Sequence, residues 1–293
     1  MYYWPELMLQ NGRVDHRLAQ LPPGRTAAFA TACAQHALLR FEQVWPQTHF
    51  RPSTSSFIST MLEIVEALWD LIPQIERLPD LSGLVRKVDL IVGPDYAEEV
   101  TWNEGELLHA TLQALECLRE GGSPRRAALA AKSAYNAVSK WYCAKAYPGK
   151  AMKAAQIIDF EKQNPECQAE FSFQLGCLSV LERGVEPILS YTLIEEQTSV
   201  EAWLERSATG LRSAGDDRAA IIAVFERFID EGMALVHSPS AMWDYVSTVI
   251  ARAGFDGSRW DRRMRIYSTV SNQRLQGGRP YGPDWPWNEE EGA

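Results

Sequence analysis

Glu63, Glu66 and Asp70 recur at three- and four-residue steps, a spacing that sets three carboxylates along one helix. Together such groups could hold a divalent cation against a nucleotide phosphate. That chemistry needs a second carboxylate helix, for which Glu226 with Asp230 is the loose candidate. Acids opposite an apolar stripe are also what an ordinary solvated helix face shows, and that is the preferred reading. Glu106-x-x-His109 has the spacing of di-iron helical bundles, where each of two helices supplies such a pair; this chain has no second Glu-x-x-His. Cys33-x-x-His36 could supply two metal ligands, but no further Cys/His pair stands at zinc-site spacing. A packed core cysteine and a partly buried histidine are expected instead. Gly149-Lys150 lacks the earlier glycine and the following hydroxyl residue of a phosphate loop. No Ser/His/Asp or Cys/His grouping emerges from the spacing, so the expectation is no catalytic residue, no metal and no cofactor.

Charge is more informative than any of these motifs. Between Gly121 and Ile158 stand seven basic residues (Arg125, Arg126, Lys132, Lys140, Lys145, Lys150 and Lys153) and no acid, in a chain of net charge −9. At 100° per residue, Arg125, Arg126, Lys132 and Lys140 fall within about a 120° arc of one helix. Ala131, Ala134, Tyr135, Val138 and Tyr142 occupy the other side. Polar out and apolar in accounts for that division, but not for the absence of interleaved acids. Either acids elsewhere neutralise the arc, with Glu161, Glu166, Glu170, Glu195, Glu196 and Glu201 the candidates, or it meets an external phosphate or acidic partner. An acidic protein repels nucleic acid in general, so that role would fall to this arc alone.

The loop Gly93–Glu104 is the second feature. It sets Asp95, Glu98, Glu99 and Glu104 beside Tyr96 and Trp102, between two helical segments. Tyrosine and tryptophan beside charge are frequent anchors of protein interfaces. The plainer alternative is a loop whose rings pack down while its acids favour a helix N-terminus.

The elements that must position these residues are helical. Phe57, Ile58, Met61, Leu62, Val65, Leu68, Trp69 and Ile72 follow one helix face, as do Phe29, Cys33, Ala37, Phe41 and Val44. Ser123-Pro124, Asn164-Pro165 and Ser238-Pro239 each put a capping side chain before a proline at the first helical position. Asn103 with Glu106 resembles a capping box, and Gly121-Gly122 closes the helix that follows. The pattern predicts about ten helices, near 25–45, 55–72, 81–92, 103–120, 124–146, 150–162, 165–183, 199–213, 217–236, 239–253 and 258–274. Leu90-Ile91-Val92 is the one plausible strand and is too short to organise a sheet.

The expected fold is all-α, an irregular multi-helix bundle or stacked helical hairpins. Tyr147-Pro148-Gly149 suggests subdomains at 1–147 and 148–275, followed by an extended tail at 276–293. That tail carries Tyr281, Trp285 and Trp287 among glycine, proline and acids. It reads as a strap on the protein's own surface or, more sharply, as a docking peptide. The N-terminus shows no basic stretch leading into an apolar run, and no apolar stretch reaches the ~20 residues of a membrane helix. Five scattered cysteines without a C-x-x-C suit reduced thiols, so a cytoplasmic location is expected.

With the helices placed, Leu18–Glu42 resembles the opening of a group of mostly helical bacterial proteins that includes polymorphic-toxin immunity proteins. The likeness rests on Leu21-Pro22, Ala28-Phe29-Ala30, Cys33-Ala34-x-His36 and Phe41-Glu42. The alanine-rich pair at 103–146 fits the same style, so it extends over about 18–146. The resemblance implies a non-enzymatic inhibitor of one cognate toxin acting in the cytoplasm. An acidic surface would suit a basic toxin, since complementary fields speed encounter. The expected contacts are Asp95, Tyr96, Glu98, Glu99 and Trp102. The alternative is a nucleic-acid or nucleotide-phosphate binder using Arg125, Arg126, Lys132 and Lys140.

Overall fold

A computed structural model describes residues 14–44, 52–77, 79–91, 102–149, 152–183, 190–236 and 239–275. These form twelve α-helices, one short 3-10 turn at Ile72–Arg77, and no strand. The chain is all-α, and each of the eleven expected helical segments is present. Leu90 and Ile91 end a helix rather than forming a strand. The chain divides into two units, 1–195 and 196–293. The division falls inside one helix, Tyr191–Ala214, and not at the Tyr147-Pro148-Gly149 break. Punctuation by proline and glycine marks where a helix stops, which is a different property from where packing stops.

In unit 1 the helices are α1 (Val14–Leu18), α2 (Pro23–Val44), α3 (Pro52–Leu71), α4 (Ser82–Ile91), α5 (Trp102–Arg119), α6 (Pro124–Ala146), α7 (Ala154–Gln163) and α8 (Pro165–Glu182). α2 is the hub. Its run from Ala27 to Ala30 and its Ala32, Cys33, Ala34, Ala37 and Leu38 are buried on every side. Small side chains allow this, because the distance between packed helix axes is set by what stands at the contact. α3, α5, α6 and α8 all pack on α2, and Ala127, Ala130, Ala131, Ala134 and Ala137 repeat the device on α6. Polar pins fix the register. Trp69 Nε1 donates to Gln35 Oε1 at 2.6 Å, joining α3 to α2. Arg17 grips Glu182 with two parallel bonds of 2.7 Å, joining α1 to α8.

Helix ends test the expected caps individually. Asn164 Oδ1 accepts from the backbone N–H of Glu166 and of Cys167, both at 3.0 Å, as an N-cap should. Ser123 precedes Pro124 in extended conformation without a side-chain cap bond. The box at Asn103 and Glu106 is not formed: α5 starts at Trp102, so Asn103 is already helical and Glu106 turns to α6.

Unit 2 holds most of α9 (Tyr191–Ala214) with α10 (Arg218–Val236), α11 (Pro239–Arg252) and α12 (Gly257–Leu275). Its core is aromatic. Trp203 stacks on Phe228 at 4.4 Å and donates Nε1–H to the Phe228 carbonyl at 3.0 Å. Tyr267 meets Phe225, Phe228 and Trp243 edge to face. Fully buried Arg263 lies 3.4 Å from the Phe255 ring centre and donates to the Gly215 carbonyl and to Asp216, holding the α9–α10 turn on α12. Asp217 caps α10 through the N–H of Ala219 and Ala220. Trp203 packs so tightly on α10 that a Cβ on Gly232 would stand 2.5 Å from its Cζ2. Gly232→Ala should therefore destabilise unit 2 by about 1–3 kcal/mol through overpacking. Denaturant unfolding of the variant, followed by tryptophan fluorescence, measures it.

Candidate functional site

The two features selected by charge meet the structure differently. Asp95, Tyr96, Glu98 and Glu99 lie outside the described residues. Trp102 opens α5, and its side chain also lies outside the described set. The basic arc is fully described. Arg125 is exposed, while Arg126, Lys132 and Lys140 are half-buried.

α5 and α6 form an antiparallel hairpin closed by Gly121 and Gly122, and this geometry sets the acids of α5 against the bases of α6. Lys140 pairs with Glu106. Arg126 pairs with Glu120 at 2.8 Å and donates to Gln113 Oε1 at 3.2 Å. Two of the four candidate phosphate ligands are thus spent inside the hairpin, while Arg125 and Lys132 make no ion pair among the described residues. The acids that pair with Arg126 and Lys140 here, Glu120 and Glu106, come from the preceding helix. Within 159–205, Glu166 pairs with Arg40, Glu170 with His36 and Glu201 with Arg252. Glu195 accepts from Tyr191 Oη, and Glu161 accepts from Ser139 on α6.

Glu106 and His109 do not converge on a shared point. Arg126 orients the Gln113 amide with its oxygen toward the guanidinium, so its nitrogen donates to His109 Nε2 at 3.1 Å. His109 is left with Nδ1–H to donate to Ser133 Oγ at 2.7 Å. This relay zips the hairpin and uses both ring nitrogens. Among the carboxylates of α3, Glu63 pairs with Lys87 at 3.1 Å while Glu66 and Asp70 face solvent. Asp230 pairs with Arg274 within unit 2.

A further polar cluster joins residues far apart in the sequence. Glu170 is fully buried on α8, and its Oε2 lies 2.7 Å from His36 Nδ1 and 3.8 Å from Arg40 Nη1. Its Oε1 accepts from Gln174 Nε2 at 3.0 Å, and the same amide donates to the Ala131 carbonyl on α6 at 2.8 Å. Arg40 pairs in addition with Glu166. The His36 ring stacks on Phe173 at 3.7 Å, nearly parallel. One carboxylate thereby ties α2, α6 and α8 together. Burial alone would raise the Glu170 carboxyl, but the His36 contact, Arg40 and Gln174 outweigh it and hold the group below its ordinary range.

A carboxylate-held imidazole is half of a proton-transfer unit. Its near neighbour along α2 is not a matching nucleophile: Cys33 is fully buried, and burial, then the charges of Cys177 and Glu170, push its thiol well up. Burial likewise lifts Cys117 and Cys167 to about 12. All five cysteines are free. The signal that could have exposed this cluster is the ladder Glu166, Glu170, Gln174, polar groups four apart on a helix that buries Phe171, Phe173, Leu178 and Leu181. Such a ladder on a buried helix demands partners.

Comparison of the chain with protein-family models, with curated proteins and with solved structures finds no match.

Proposed function

We propose that the chain is a non-enzymatic binding protein of the toxin-immunity kind, which recognises one protein partner by surface shape and charge. The observation that supports this most is how the groups capable of chemistry are used. His36 with Glu170, His109 with Ser133 and Gln113, and Glu106 with Lys140 are each consumed in contacts between helices. Four of the five cysteines are buried thiols. Such a distribution rigidifies a scaffold and leaves recognition to loops and faces. The acid-rich, aromatic segment at Asp95, Tyr96, Glu98, Glu99 and Trp102 is the contact surface in this reading, and a basic toxin domain acting in the cytoplasm is the partner.

Alanine at all five positions should abolish protection of cells that express the toxin, while the purified variant keeps its helical circular dichroism. Charge reversal at Glu98 and Glu99 should slow association and flatten its dependence on salt. Full protection by the five-residue variant would remove this segment from the interface.

A further inference from the structure

We draw no further inference here: the strongest candidate, the groove between the end of α6, α7 and the start of α8 lined by Tyr147, Met152, Asp159 and Phe160, carries nothing because nothing in the structure shows what covers it.

Discussion

Glu170→Ala is expected to destabilise unit 1 by about 3–5 kcal/mol, because it leaves Arg40 and His36 half-buried without the acceptor between them. For a unit of this size that corresponds to a fall in Tm on the order of 10 °C. Glu170→Gln keeps the shape and one acceptor oxygen, so its loss should be smaller. The size of the effect follows from position: the carboxylate is fully buried and gathers donors from α2 and α8, while Gln174 carries the network on to α6. A pH signature accompanies it. The folded-state carboxyl lies below the unfolded value of about 4.5, so its contribution is present above that value and is lost as pH falls through the folded pKa. Acid unfolding of the parent chain should therefore steepen below about pH 4.5, and Glu170→Gln should lack that component.

Gly122→Ala is the second change with a large expected effect, and its cause is purely steric. Gly122 has φ +87°, a region that L side chains rarely adopt. A Cβ there would also stand 2.5 Å from the Cα and carbonyl oxygen of Pro23. Those are backbone atoms at the start of α2 and cannot swing aside as a side chain could. The turn is fixed at the same time by the Gly122 N–H, which donates to the Cys117 carbonyl at 2.8 Å. Left-handed strain of about 1–2 kcal/mol for a non-glycine residue is the floor. Displacing the α5–α6 turn from the hub helix adds to it, for a total of roughly 3 kcal/mol or more. Gly149→Ala is the control: it too has positive φ, at +69°, but a Cβ there meets nothing within 4 Å. It should show the strain alone, and comparing the two by denaturant unfolding separates strain from clash.

The helices were legible because each carries its signal locally. Apolar steps of three and four, a capping residue before proline, and paired glycines are all contained within a few residues. α1 (Val14–Leu18) escaped because one turn of mixed polarity has no period to read. The start of α9 at Tyr191, earlier than the expected 199, escaped for another reason. Ser190 caps this start, accepting from the Leu193 N–H at 3.4 Å, but a lone serine without a following proline is a weak mark, and Tyr191 and Ile194 are held by the core of unit 1. Pairings across the fold were not legible at all. His36 and Glu170 are 134 positions apart, and nothing in either local pattern names the other. The neutralisation of the basic arc lay between these extremes. A tight Gly-Gly turn makes α5 and α6 antiparallel neighbours, so Glu120 opposite Arg126 and Glu106 opposite Lys140 follow from hairpin geometry. The more distant acids of 159–205 drew attention only because they are numerous.

A binding protein and an enzyme differ most plainly in stoichiometry. For the proposed inhibitor, the decisive measurement is the residual activity of the toxin domain that the proposal requires as its partner, as purified chain is added in increasing molar ratio. Tight one-site recognition requires activity to fall in proportion to added chain and to vanish at an equimolar ratio, with a stable complex recovered by gel filtration. Inactivation of excess toxin by a small fraction of an equivalent would mean turnover, and would contradict a function based on recognition alone.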